Sequence, residues 1–160
     1  PYTTLFRSLN DDKTELMLVS SPGQEAIVTV FPGITIGGTL ITPKSPVRNL
    51  GAMFDSQMSM EPHVNNICRA AYFHLRNINS VRHCLSKAAT ETLVHSLIAS
   101  KLDYGNALLH GLPNRIENKL QRVQNSAARV IARVRKRDHI KPVLKDLHWL
   151  PVKSRVATKF

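Results

Sequence analysis

Two adjacent carboxylates near the start of the chain, Asp11 and Asp12, are the first residues whose types could do chemistry. Paired aspartates can hold the Mg²⁺ ions that two-metal polymerases use in phosphoryl transfer. A pair of that kind lies in a turn between two apolar strands, and the residues before Asp11 supply no such strand. We therefore interpret the pair as a loop or the beginning of a strand, and we predict no catalytic residue in this chain.

The histidines and cysteines do not have the spacing of a metal site. Structural zinc sites pair their ligands as Cys-x(2–4)-Cys or His-x(3–5)-His, and no pair here is separated in that way. Nucleotide-binding and hydrolase motifs of the P-loop, Gly-x-Ser-x-Gly and His-Glu-x-x-His types do not occur in the sequence either. We predict no metal and no small-molecule ligand. The residues concerned are His63, His74, His83, His95, His110, His139, His148, Cys68 and Cys84.

A stripe of cations is the strongest chemical signal. On a helix of about 100° per residue, five basic residues lie within an arc of about 80°, beside an apolar stripe that begins at Ile116. Glu117 is the one acid within this segment, so the cations lack interleaved partners and could follow phosphates of a nucleic acid. The predicted nucleic-acid-binding residues, called the basic stripe below, are Arg115, Lys119, Arg122, Arg129 and Arg133.

Two other interpretations of the basic stripe remain open. A solvated basic face is the usual meaning of a run of charges. A basic amphipathic helix can also lie on an anionic membrane, although this apolar stripe has no Trp or Phe to anchor it there.

Charge is unevenly distributed over the 160 residues, whose net charge is +11. Residues 1–60 hold four Lys/Arg against five Asp/Glu, whereas residues 61–160 hold eighteen against six. Such asymmetry favours a polyanionic partner for the second part. The uncharged segment 26–43 is interrupted by proline, glycine and threonine, so we predict a hairpin there, no transmembrane segment and no secretion.

Hydrophobic periodicity changes along the chain from that of strands to that of helices. We expect a helix capped by Ser59, a second beginning at Ser86, a third from Asn114 to about Lys136, and a short one near Pro142–Leu147. The fold class predicted is α+β, a small β-sheet or hairpin followed by an all-helical region. The expected strands are 15–19, 26–31, 34–36, 39–42 and 47–54.

Six segments in order resemble the C-terminal part of a reverse transcriptase of the non-LTR retrotransposons, the LINE-type, jockey-like group. The resemblance extends from Leu9 to about Phe160. The segments are LNDDKTELMLV, VRNLGAMFDSQMSM, AYFHLRNI, LIASKLDYGNALLHGLP, KLQRVQNSAARVI and HIKPVLKDLHWLPV.

The resemblance implies a fragment of an RNA-directed DNA polymerase. Residues 9–57 would be strands at the edge of the palm, with Leu50 and Gly51 in a primer-grip-like segment, and residues 58–160 a thumb-like helical region cut off at its C-terminus. The partner would be an RNA/DNA primer–template duplex. The family's catalytic aspartates would lie upstream of this chain, and Asp11-Asp12 would come after them in the sequence. Mg²⁺ is therefore implied for the parent enzyme only, and the fragment is expected to be inactive alone. Its expected compartment is intracellular, nuclear or cytoplasmic.

Residues 1–8, PYTTLFRS, resemble the read-through translation of a sequencing-library adapter, and we leave them out of the predicted fold. The alternative function from another class is a non-catalytic helical protein-interaction module whose basic face is only solvated. A third is an expressed fragment with an unrelated nucleic-acid role. Only phosphate binding predicts a steep salt dependence, which separates the first two functions.

Overall fold

The computed structural model describes residues 13–21, 23–24 and 30–157. The chain divides after Ser59 into two compact units, one with the strands and one with the helices. The predicted α+β class is thereby confirmed: two small antiparallel hairpins precede a helical region. The predicted adapter and Asp11-Asp12 lie outside the described residues, as does most of the expected strand 26–31.

The first hairpin pairs β1, Ile34–Ile36, with β2, Thr39–Ile41. Its turn is Gly37-Gly38, and both glycines have positive φ, which fits the tight turn that the sequence predicts. The expected strand 15–19 does not form. Leu16 makes a single parallel bridge to Pro43, and a proline has no N–H with which to continue a ladder.

The second hairpin replaces the single strand expected over residues 47–54. β3, Val47–Asn49, pairs with β4, Ala52–Phe54, and Leu50-Gly51 forms the two-residue turn between them. Leu50 has φ 46° and Gly51 has φ 84°, as a type I′ turn requires. The expectation of one strand was wrong because leucine is uncommon in such turns, so nothing in the sequence indicated that Leu50 interrupts the strand.

The helical unit is built on two long helices, Glu61–Ser80 and Asn114–Ala132, and several shorter segments. A π-helical turn lies at His95–Ala99, and 3₁₀ turns lie at Arg82–Cys84 and Asn106–Leu109. The α-helices are α1 Glu61–Ser80, α2 Lys87–Val94, α3 Ser100–Asp103, α4 Asn114–Ala132, α5 Ile140–Asp146 and α6 Val152–Ala157.

One hydrophobic core lies within the helical unit and includes residues from all of its longer helices. On α1 the buried apolar residues are the five that its period predicts: Val64, Ile67, Ala71, Leu75 and Ile78. On α4 the buried apolar residues are Ile116, Leu120, Val123, Ala127, Ala128 and Ile131. Among the described helices none is both long and apolar enough to cross a membrane.

Two helix ends differ from the prediction. Helix α1 follows Met60, in the left-handed conformation, while the N–H of Ser59 donates to Asp55 Oδ2 at 3.1 Å. Helix α4 ends at Ala132 instead of about Lys136, because Arg133 turns to φ 56°. Beyond it, the Asp138 carboxylate accepts a hydrogen bond from the N–H of Arg135 at 2.7 Å, which gives that backbone group a non-helical partner. Ser86 caps α2 as expected, accepting from the N–H of Ala89.

Candidate nucleic-acid interface

The N-terminal end of the basic stripe is paired with an acid from another helix. Glu61, at the start of α1, accepts hydrogen bonds at 2.8 Å from both Arg115 and Lys119. Lys119 also donates to Asn65 Oδ1 at 2.8 Å. The expectation that these cations lack acidic partners is therefore wrong at this end, since the partner comes from a residue more than fifty positions away, which helix periodicity cannot show.

The two cations change the ionisation of Glu61. The hydrogen bond from Lys119, together with the charges of Arg115 and Lys119, lowers the pKa of the Glu61 carboxyl against an opposing effect of burial. Glu61 is therefore an anion at neutral pH, and one negative charge is shared by two positive ones. Arg115 and Lys119 consequently offer less net charge to a phosphate than their number suggests.

Arg122 occupies the middle of the basic stripe and is exposed. Within the part of the chain that the structure describes, its guanidinium makes no hydrogen bond and no ion pair. Its backbone carbonyl accepts from Ser126 Oγ at 2.9 Å, an interaction that leaves the charge untouched. Arg122 is thus a free cation on the outer face of α4.

The C-terminal end of the stripe borders a cavity of about 450 Å³, called the basic cavity below. Two of the predicted cations, Arg129 and Arg133, both line this cavity. Their acceptors are backbone carbonyls, of Asp138 at 3.4 Å and of Arg82 at 2.9 Å, so neither charge is neutralised by its partner. Arg129 Nε is buried without a hydrogen-bond partner. The cavity is lined by Asn79, Arg82, His83, Arg129, Val130, Arg133 and Val134.

Arg82 binds the last turn of α4 at this end of the site. Its buried guanidinium donates to the carbonyls of Val130 at 3.0 Å, Ile131 at 3.0 Å and Leu85 at 2.8 Å. The first two carbonyls belong to the last turn of α4, where a cation satisfies otherwise unpaired acceptors and the helix dipole. Burial, and the charge of Arg133, lower the pKa of Arg82. Sequence reasoning missed this residue because an arginine that caps a helix looks like any other in a sequence.

A second cavity, of about 460 Å³, shares Arg82 and Arg133 with the basic cavity as lining residues. Ser86 and Lys87, at the start of α2, form part of its wall. Arg133 is therefore shared by two neighbouring concave surfaces, and Lys87 adds a further cation to the second. Beyond α4, the exposed Arg135, Lys136 and Arg137 continue the positive charge up to Asp138.

The primer-grip-like residues belong to the other compact unit. Leu50 is 85% exposed at the tip of the β3–β4 turn, and Gly51 completes that turn. A cavity of about 410 Å³ lies in the same unit, between residues 13–17 and the β3–β4 hairpin.

The described residues contain no cluster of three potential metal ligands. In those ranges no three His, Cys, Asp or Glu side chains come close enough together to hold an ion, so the Mg²⁺ that the resemblance implies for a parent enzyme has no fitting donor set there. Cys68 and Cys84 are free thiols, and burial raises the pKa of Cys68.

Comparison with known proteins gives no relative. No model of a protein family matches the chain, and neither the curated proteins nor the solved structures contain a significant match.

Proposed function

We propose that the helical unit binds the phosphate backbone of nucleic acid at the C-terminal end of α4. The observation that carries this proposal is the basic cavity, in which Arg129 and Arg133 keep their full charge because they bond to carbonyls instead of carboxylates. Guanidinium groups are well suited to phosphate because their planar array of donors matches its oxygens. Arg122 adds a free cation about 10 Å away along the helix, at about 1.5 Å per residue.

Backbone contacts of this kind fix position without reading sequence. That is the requirement of a polymerase thumb, which holds a primer–template duplex and lets it advance. We accordingly propose, with the six segments quoted above as support, that the chain is part of an RNA-directed DNA polymerase of the non-LTR retrotransposon type. Its partner would be an RNA/DNA duplex, its compartment intracellular, and it would not polymerise alone.

The alternative, a helical protein-interaction module with a solvated basic face, is favoured by one observation. Glu61 engages two of the five cations of the basic stripe, as an ordinary surface ion-pair network would. This alternative predicts that charges on α4 have no effect on nucleic-acid binding.

Salt dependence separates the two functions. Each phosphate contact contributes about −0.9 to the slope of log affinity against log salt on B-DNA, so three contacts by Arg122, Arg129 and Arg133 predict about −3. We expect Arg122→Ala, Arg129→Ala and Arg133→Asn each to flatten the slope by about one unit, whatever the duplex sequence. Asparagine is used at position 133 because it tolerates the positive φ found there.

Two matched variants sharpen this test. Arg115→Ala should flatten the slope less than Arg129→Ala does, because Glu61 already opposes part of that charge, whereas Glu61→Gln should steepen the slope by releasing both of its partners. Fluorescence anisotropy of a labelled duplex measures the slopes, and circular dichroism checks that each variant is helical. Salt-insensitive binding, or equal losses from Arg115→Ala and Arg129→Ala, would contradict the proposal.

A further inference from the structure

The outer face of α1 combines exposed aromatic rings with unpaired cations. Tyr72 is 43% exposed and Phe73 is 58% exposed, although large aromatic side chains are usually buried. Arg69 and Arg76 are also exposed, and within the described ranges neither makes a hydrogen bond or an ion pair. We call these four residues the α1 outer face.

Helix geometry places the four side chains together. At about 100° per residue, Arg69 and Arg76 lie about 20° apart, and Tyr72 and Phe73 flank them on opposite sides within about 60°. The patch is about 10 Å long, at 1.5 Å per residue. The opposite face of the same helix carries the buried residues from Val64 to Ile78, so the exposure of the aromatic rings is not an irregularity of an incompletely packed helix.

The one acid of this helix is Glu61 in the first turn, and four of its other polar residues are asparagines. Asn65, Asn66, Asn77 and Asn79 are all exposed. Asn79 also lines the basic cavity, so the α1 outer face leads toward that cavity along one helix. The ring of Phe73 meets that of His74 edge to face, with centroids 5.5 Å apart, which restricts the orientation of the phenyl group.

We propose that the α1 outer face binds unpaired bases of single-stranded nucleic acid. Exposed aromatic rings are stacking platforms for bases, and interleaved arginines contribute both stacking and attraction to phosphates. A basic protein surface would be repelled by the arginines, and a second copy of this chain would present the same positive charge, since residues 61–160 hold eighteen Lys/Arg against six Asp/Glu. Nucleic acid satisfies the rings and the charges at once.

This inference rests on the proposed function in that both partners are nucleic acids, but the chemistry differs. The basic cavity should recognise phosphates, whereas the α1 outer face should recognise bases. An oligonucleotide without bases therefore distinguishes the two surfaces, because it keeps every phosphate and loses every stacking group.

The test uses the full chain and two labelled probes of equal length, an oligo-dT of about twelve nucleotides and its fully abasic counterpart, measured by anisotropy at one fixed low salt concentration. We expect wild type to bind oligo-dT more tightly than the abasic strand. The double variant Tyr72→Ala/Phe73→Ala should weaken oligo-dT binding at least about fivefold, from the typical worth of one stacked base, and leave abasic binding unchanged.

Controls address folding and specificity. The double variant Tyr72→Trp/Phe73→Trp should retain the preference for bases, whereas Phe73→Leu should reduce it while keeping apolar area. Tyr104→Ala removes an aromatic ring that is 54% exposed elsewhere in the same unit, and it should leave the binding of both probes unchanged. Arg122→Ala should weaken both probes alike, as the phosphate proposal requires. The inference is overturned if wild type binds both probes equally, if the double variant binds oligo-dT as wild type does, or if it loses both probes to the same extent.

Discussion

Gln124 is a polar side chain with no exposed surface in the core of the helical unit. Its Nε2 donates to the carbonyl of Leu150 at 2.8 Å, and its Oε1 accepts from Gln121 Nε2 at 2.8 Å. Gln121 Oε1 in turn accepts from the N–H of Val152 at 2.9 Å. Two glutamines of α4 therefore hold the backbone that leads into α6.

We expect Gln124→Leu to lower the free energy of unfolding by about 1–3 kcal/mol, although leucine is of similar size and more apolar. The reason is that, in a part-buried network, the carbonyl of Leu150 loses a donor and Gln121 Nε2 loses one of its acceptors, and an unmatched polar group costs more than the average hydrogen bond contributes. Denaturant unfolding followed by circular dichroism measures the change. Asn125→Ala, at a half-buried neighbour that accepts one hydrogen bond from Gln121, is the matched control and should cost less. A neutral or stabilising Gln124→Leu would show that this network does not hold the C-terminal segment.

For single residues, the sequence predicts where the charges lie better than it predicts their hydrogen-bond and ion-pair partners. The five cations of the basic stripe can be predicted from residue types, but the acid that pairs with Arg115 and the carbonyl that accepts from Arg133 cannot, because each lies about fifty residues away in the sequence. The sequence did not identify Arg82 and Gln124 as buried, because a buried polar residue is recognisable only when its hydrogen-bond partners are known.

Among the elements, β3 and β4 are joined by a turn whose first residue fits poorly. Leu50 adopts φ 46°, a left-handed conformation that costs a residue with a Cβ about 1–2 kcal/mol, whereas Asn-Gly is the preferred pair for this turn. We expect Leu50→Asn to stabilise the hairpin by about 1 kcal/mol, seen as slower amide hydrogen exchange in Val47–Phe54.

Leu40→Asn is the control for this change. Leu40 is 58% exposed within β2, where asparagine brings no conformational gain and has low strand propensity. Faster exchange in β3–β4 after Leu50→Asn would mean that the leucine side chain itself holds the turn. A loss of nucleic-acid binding with a stabilised hairpin would instead support the primer-grip-like role predicted for Leu50.

The buried residues of a helix were predictable from the sequence where the helix packs on the core with one face only. The period of α1 gives its buried residues because the whole helix packs on one side. The end of α4 was not predictable from its period, since Val134 continues the apolar pattern after Arg133 has left the helical conformation. Turn geometry and local side-chain hydrogen bonds, such as that of Asp138, ended the helix.

Across the whole molecule, the two units differ in how much core they possess. In the described residues before Met60, Ile41 and Ala52 are the apolar residues that are buried, and the strands form two separate two-stranded sheets. The helical unit has a continuous core that extends from Val64 to Val156. The change from strand to helix periodicity was visible in the sequence. The small number of buried apolar residues in the first unit was not, because apolar residues such as Leu40 are exposed in the structure.

This asymmetry predicts that stability resides in the second unit. A two-stranded hairpin alone is marginal in water, whereas about 100 residues with one core suffice for cooperative folding. We expect residues 60–160 alone to unfold cooperatively by circular dichroism, within a few degrees of the helical transition of the full chain, and residues 1–59 alone to show no such transition. The comparison is internally controlled, because the two pieces together make up the chain. If residues 60–160 unfold gradually or precipitate while the full chain unfolds in one sharp transition, then the helices depend on the strands, and both nucleic-acid surfaces proposed for the second unit would have to be tested only in the intact protein.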